Sequence, residues 1–393
     1  MVPKGWKIVT LKDLLDGQIK NGYSPNATDS ETGYWVLSLG ALADEGINSS
    51  GIKPVLPEEK VLQNLLKKDD FLVSRSNTPD KVGRSIRFKN EIENCSYPDL
   101  MMRFRIDDTK ADKEFIEQQL KSSTVRAYFK NCAAGSSSTM VKINKGILEK
   151  TPIVVPPIKE QKKIAQVLFA WDKAIAATEK LLTNSQQQKK ALMQQLLTGK
   201  KRLLDENGER FSGEWRNSTL SMFCNIAKGK ALSASDLEVG DFPVIAGGKS
   251  SPYSHSDYTH ENVVTVSASG AYAGYISYHN YKIWASDCSV VSAKADNLID
   301  YFYQLLLSLQ DKIYSLQSGG AQPHIYPKDL NSIPLWVPCV KEQQKIATVL
   351  SAADAEISTL EKKLACLRDE KKALMQQLLT GKRRVKVDEA VAE

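Results

Sequence analysis

One segment of this 393-residue chain occurs twice, and nothing else in the sequence constrains the fold as much. It runs from Lys159 to Arg202 and again from Lys341 to Arg384, at a constant offset of 182 residues without a gap, and KKALMQQLLTGK is identical in both copies. Self-similarity at so long a period means a duplicated architecture. Neither copy contains Pro or an internal Gly, and Ala, Leu, Gln, Lys and Glu dominate, so each is predicted to be a long helix. The seam positions of the first copy are Ile164, Leu168, Trp171, Ile175, Thr178, Leu182, Ser185, Lys189, Leu192 and Leu196. Those of the second are Ile346, Leu350, Ala353, Ile357, Leu360, Leu364, Leu367, Lys371, Leu374 and Leu378. The steps alternate four and three, and an average of 3.5 is the period of a coiled coil. Prolines lead in (Pro156 and Pro157, or Pro338), and Thr-Gly-Lys at 198–200 and 380–382 supplies a Gly C-cap followed by basic residues. Such a helix spans roughly 60 Å. Two of them in one chain are predicted to pair with each other, the alternative being a dimerisation coiled coil or spacer. Polar Thr178, Ser185 and Lys189 weaken the first seam, and polar seam positions set register and partner choice.

Hydrophobic residues make up 42% and charged residues 25% of the chain, ordinary values for a globular protein. No apolar run approaches the roughly 20 residues that cross a membrane, and the start MVPKGWKIVTLKDLL has no signal-peptide pattern. Six scattered cysteines without a CxxC pair read as free thiols in a reducing cytoplasm, with no disulfide framework or zinc site. The net charge of +7 is uneven. Residues 157–203 carry ten basic and three acidic side chains, whereas 204–338 carry nine basic and fourteen acidic. Any nucleic-acid contact in the latter stretch needs a local patch.

A globular segment precedes each helix, and the two segments begin alike. Gly5-Trp6 with Thr10-Leu11 matches Glu214-Trp215 with Thr219-Leu220 at an offset of 209. The organisation is therefore a first head (1–155), a helix (156–203), a second head (204–337), a second helix (338–384) and a frayed tail (385–393). Leu203 to Gly213 reads as a linker. Trp35 to Leu39 and Phe71 to Ser74 read as strands of the first head; Lys113 to Leu120 leans helical, and Ser122 to Phe129 is open between strand and helix. The second head offers strands at 243–246, 263–266, 275–278 and 288–291 and a helix at 298–309. Both heads are expected to be mixed α/β or α+β.

No catalytic constellation emerges. Gly248-Lys249-Ser250 lacks the upstream glycine of a phosphate-binding loop, and there is no GxGxxG after a strand. No Asn-Pro-Pro-aromatic or Asp-Pro-Pro-aromatic tetrapeptide points to base methylation, and no Glu-x-Lys follows Pro98-Asp99 at the spacing of a metal nuclease: Glu160-Gln161-Lys162 lies too far on, and its repeat partner Glu342-Gln343-Gln344 lacks the lysine. His255 and His260, in a Tyr- and Ser-rich loop, read as surface polar residues rather than metal ligands. The chain is expected to be no enzyme and to need neither metal nor cofactor.

Binding features are better represented. Arg75, Ser76, Asn77, Thr78, Lys81 and Arg84 crowd a turn after the strand at Phe71, where arginine and asparagine read base edges and hydroxyls hold phosphates. The alternative is a solvated hairpin. The corresponding stretch after Val263 holds Ser267, Ser269 and Tyr272 but no basic residue. A small-residue loop precedes each helix, one with Gly135, Ser136, Ser137 and Ser138, the other with Gly319, Gly320, Gln322 and His324. Gly and Ser let backbone N–H groups approach phosphate, although a tight turn uses the same residues.

These segments together resemble the specificity subunit of a type I restriction-modification system. The resemblance covers nearly the whole chain and rests on GWKIVTLKDLL, VSRSNTPDKVG, SYPDLMMRFRID, the two loops, TPIVVPPIKEQKKIAQVL, IPLWVPCVKEQQKIATVL and the paired QQLLTGK helix ends. It implies two target recognition domains, each reading one half of a bipartite double-stranded DNA site. It also implies an antiparallel coiled coil that sets the spacing and docks two adenine methyltransferase subunits, with restriction/translocase subunits, each both nuclease and translocase, in the full complex. DNA contacts are implied around Arg75 to Arg84 and Gly135 to Ser138, and around Gly248, Lys249, Tyr253, Ser267 to Tyr272 and Gly319 to His324. The second head departs from the family's Ser-Arg turn. A coiled-coil adaptor without sequence-specific DNA binding is the competing reading. The small net charge and the acidic second head predict weak, salt-sensitive DNA binding by the chain alone.

Overall fold

A computed structural model describes residues 3–43, 46–137, 140–249, 253–319 and 322–387. The chain divides into two compact units, Met1–Glu179 with Lys363–Glu393, and Lys180–Lys362. Each unit contains one head and half of each long helix.

In the first unit, β1 (Lys7–Thr10) pairs antiparallel with β2 (Pro152–Val155), so the beginning of the head is tied to its end. A four-stranded antiparallel sheet runs in the order Lys20–Asn21, Met101–Phe104, Phe71–Ser74, Ser85–Arg87. A smaller sheet places Trp35–Leu37 between Ile52–Pro54 and Cys95–Ser96. Helix α1 (Lys113–Lys121) starts where the Asp112 side chain accepts the Phe115 N–H, and Ser122 ends it and caps α2 (Ser123–Cys132). The stretch open between strand and helix in the sequence is thus helical. The core gathers Phe71 stacked on Phe104 at 5.2 Å with Phe115, Ile116, Leu120 and Phe129. Ile164 and Leu168 of α3 (Ile158–Leu196), and Leu378, complete it.

The second unit repeats this plan. Strands β3 (Arg216–Thr219) and β4 (Pro334–Val337) pair, and a four-stranded sheet runs Cys224–Lys228, Cys288–Ala293, Val263–Ser267, Ile276–His279. Helix α4 (Ile299–Ser308) buries Ile299, Phe302, Leu305 and Leu306, the spacing of one helical face. Its core takes Leu196 from α3 and Ile346 and Leu350 from α5 (Val340–Leu378). The stretch read as a linker is an ordered turn here: Leu204 bridges Arg210, and Asp205 accepts from the Asn207 and Glu209 N–H groups.

Within each unit the helix halves run antiparallel. In the first, Asp172 meets Lys371 at 2.5 Å and Glu179 meets Arg368 at 2.7 Å. In the second, Ser185 meets Glu356 at 3.0 Å and Lys189 meets Asp354 at 2.5 Å. Every one of the twenty seam positions is buried or half-buried. Lys189 and Lys371 tolerate the seam because each finds a carboxylate there, which also accepts an amide hydrogen from the head, Gln304 onto Asp354 and Gln118 onto Asp172. Charge inside a helix pair is retained only when satisfied in this way.

The repeated Glu-Gln at each helix start has the same physical account. Gln161 donates to the Pro156 carbonyl and accepts the Asp112 N–H, and Gln343 donates to Pro338 and accepts from Leu298. Glu160 is gripped bidentately by Arg384 and accepts the Trp6 indole N–H at 3.1 Å. Glu342 is gripped by Arg202 at 2.6 and 2.7 Å, while the Trp215 indole N–H has no hydrogen-bond partner among the described residues. Gly199 and Gly381, at φ +71° and +73°, turn each helix end so that these arginines reach back.

Candidate nucleic-acid interface

In the first head the chain leaves the central strand at Ser74 and passes between two neighbours. The Arg75 N–H donates to the Leu100 carbonyl, and the Arg75 carbonyl accepts from Ile143. Ser76–Asn77 then pairs with Met140–Lys142, which pairs back onto Ala134–Ser137. The turn returns at Gly83, whose N–H donates to Ser74. Gly83 has φ +70° with the Phe129 ring packed where a Cβ would stand, so only glycine fits. Arg126 donates to the carbonyls of Asp80 and Val82 and Lys130 pairs with Asp80 at 3.0 Å, so α2 braces the turn. That contact also holds the Asp80 carboxyl below its usual range.

The two stretches singled out in the first head therefore share one three-stranded sheet. Thr78 and Lys81 are exposed, Arg75 and Asn77 are half-buried, and the Arg75 guanidinium has no side-chain partner among the described residues. Arg84 is committed elsewhere, donating to the Leu42 carbonyl at 3.3 Å. Ser76, 1% exposed, presents no hydroxyl to a ligand. Gly135 lies in the hairpin; Ser138 and the side chains of Ser136 and Ser137 lie outside the described residues. Lys142, exposed opposite Ser76, is a cation the sequence reading passed over, and its place in the register is the only signal for it.

The second head makes the same hydrogen bonds with different residues. The Ser267 N–H donates to Tyr275, Gly274 donates to Ser267, Ala268 donates to Asp287, and Ile325 donates to Ala268. Ser267, Ala268, Ser269, Gly274 and His324 thus occupy the places of Ser74, Arg75, Ser76, Gly83 and Lys142, with Ser269 bridged to His324. Gly274, at φ +88°, turns the chain as Gly83 does.

Lys249 comes to this patch from a different loop and lies 5.4 Å from the ring centres of both Tyr272 and Tyr275. Gly248 continues the same loop, its N–H on the Ala246 carbonyl. Tyr253 and Tyr272 are 58% and 43% exposed, Gln322 is exposed, and His324 stacks on Tyr326. Gly319, at φ +94°, opens the loop; Gly320 lies outside the described residues. Ser267 is buried at 4%.

Cations in this acidic head are held over rings, Lys230 on Trp284, Lys282 on Tyr258 and Lys328 on Tyr326 besides Lys249. His255 is not a surface residue: it is buried against Trp284 at 4.2 Å and accepts the Asp257 N–H. The apolar wall of Trp284 makes that burial favourable. Among the described residues no group of three or more His, Cys, Asp or Glu is placed to hold a metal ion.

The family model described as type I restriction modification DNA specificity domain matches this chain twice, at residues 3–184 and 212–367. The chain belongs to that family. The MjaVIII type I restriction enzyme specificity subunit of Methanocaldococcus jannaschii is 25% identical over 98% of this chain and 94% of its own length. The EcoKI specificity subunit of Escherichia coli K12 is 26% identical over 55% of this chain and 48% of its own. A crystal structure of the type I restriction-modification S subunit from M. genitalium shares the fold, with a TM-score of 0.68 at 19% identity, over 95% of this chain and 96% of that one. The doubled match coincides with the doubled plan of head and helix. Both copies of the specificity-domain match contain a patch built from the turn after the central strand and the loop before a long helix.

Proposed function

We propose that each head of this specificity subunit reads one half of a bipartite double-stranded DNA sequence. We propose further that the helix pair fixes the permitted gap and docks two adenine methyltransferase subunits. The observation that carries the reading is the repeated patch: two different side-chain sets stand on one hydrogen-bonding frame, as two heads with different targets require. In the first head Arg75, Lys81 and Lys142 supply cations for phosphates and guanine edges, with Asn77 and Thr78 beside them. In the second, Lys249 with Tyr272 and His324 with Ser269 take that place.

The chain positions and does not catalyse, which the absence of nucleotide, methylation and nuclease motifs supports. Methyltransferase docking is supported by apolar side chains that the long helices leave outside their seam, Phe169 and Leu181 at 44% and 53% exposure. Restriction/translocase subunits join through that assembly. Six free cysteines fit a cytoplasmic protein. A bare adaptor would have no use for the paired patches.

Matched insertions of two helical turns, within 180–185 and 362–367, test the ruler. The expected result is a changed gap between unchanged half-sites in DNA selected by the chain with its methyltransferase partners. Altered half-sites would refute it.

A further inference from the structure

We infer that Asp287 is a specificity-determining residue of the second head, reading an exocyclic amino group of cytosine or adenine. The inference rests on the DNA-reading role proposed above and assigns to that patch a residue outside both polar stretches singled out in the sequence.

Asp287 stands at the meeting point of the patch. Its Oδ2 accepts the Ser269 hydroxyl, its backbone carbonyl accepts the Ala268 N–H, and a Cβ on Gly247 would come within 3.3 Å of Oδ2. Loops 247–249, 268–272 and 286–287 therefore converge on one carboxylate. Asp287 is half-buried, and no lysine or arginine among the described residues pairs with it. Lys249, the cation of the patch, is engaged over Tyr272 and Tyr275. The corresponding place in the first head is Leu100, which receives the Arg75 N–H as Asp287 receives that of Ala268. A carboxylate is thus peculiar to the second head and unnecessary to the shared frame.

The charge decides what it can meet. A carboxylate facing DNA phosphates is repelled, so an unpaired one in a DNA-facing patch has to look at base edges. There it accepts hydrogen bonds, and the donors offered by the major groove are cytosine N4 and adenine N6 amino groups. Ser269 occupies Oδ2, and no donor among the described residues is found on Oδ1, which is left as the acceptor for a base.

The test selects from a library of double-stranded oligonucleotides with randomised positions, using the full chain with its methyltransferase partners. The wild type is expected to select a bipartite motif with cytosine or adenine at one position of one half. Asp287→Asn keeps the acceptor for Ser269 but presents an amide donor outward. It is expected to shift that single position toward the carbonyl-bearing bases guanine or thymine. Asp287→Ala is expected to relax the position, lowering discrimination about 5- to 150-fold, with the other half unchanged in both variants.

An unchanged motif in Asp287→Asn would overturn the assignment. So would loss of the entire half-site in both variants, the signature of a merely structural carboxylate. Failure of the wild-type complex to select any two-part motif would instead overturn the DNA-reading role itself.

Discussion

Arg202→Ala should strand a buried carboxylate. Glu342 is 1% exposed and its charge is balanced by the Arg202 fork, with bonds of 2.6 and 2.7 Å; no other lysine or arginine among the described residues pairs with it. Removing one partner of a fully buried pair costs about 3–5 kcal/mol. Arg202 itself is 20% exposed, so water enters part of the vacated space and the expected cost is about 2–3 kcal/mol. Glu342→Gln removes the charge and keeps an acceptor, and Arg202 retains the Gly213 carbonyl at 2.9 Å, so about 1 kcal/mol is expected. In urea, with a slope of about 2 kcal/mol per molar, Arg202→Ala should lower the unfolding midpoint by about 1–1.5 M. The double variant Arg202→Ala/Glu342→Gln should be more stable than Arg202→Ala alone. A double variant at which the two losses simply add, or a Glu342→Gln as costly as Arg202→Ala, would refute the stranded-charge account.

Three further outcomes follow from the same geometry. His279 is buried between Thr265 and Tyr281, and burial lowers its pKa to about 4, so the folded head prefers the neutral ring. Its contribution is complete above about pH 6.5 and is lost as pH falls toward 4, about 3 kcal/mol in all, a slope that His279→Gln should flatten in pH-dependent melts. Gly83→Ala should cost about 2–3 kcal/mol, because φ +70° is strained for alanine and the new Cβ meets the Phe129 ring, and thermal unfolding reads this directly. A fragment of residues 1–203 should self-associate, since its KKALMQQLLTGK is identical to the segment that packs Leu378 and Leu379 into the first core. Light scattering should give a dimer, and a monodisperse monomer would contradict the expectation.

The helices were legible because their signal is local: a 3.5-residue step, no breaker, and an ungapped repeat. The central strands at Phe71 and Val263 were legible because continuous apolar runs need burial on both faces. What escaped was carried by the backbone or by distant partners. Ala268 stands where Arg75 does, and no alignment of side chains finds that pair; the hydrogen bonds to Asp287 and Leu100 do. Lys249 reaches its tyrosines from a separate loop. Glu160 and Glu342 look like surface helix charges in sequence, yet arginines 224 and 140 residues away draw them inside. His255 looked exposed because its partner Trp284 is remote in the chain.

The most direct test of a two-headed DNA reader is the adenine methylome of the host, with and without this chain. The account predicts one motif in two parts separated by a fixed gap, methylated in the parent and unmethylated after deletion. A methylome that deletion leaves unchanged, or one that loses only a contiguous motif, would contradict it.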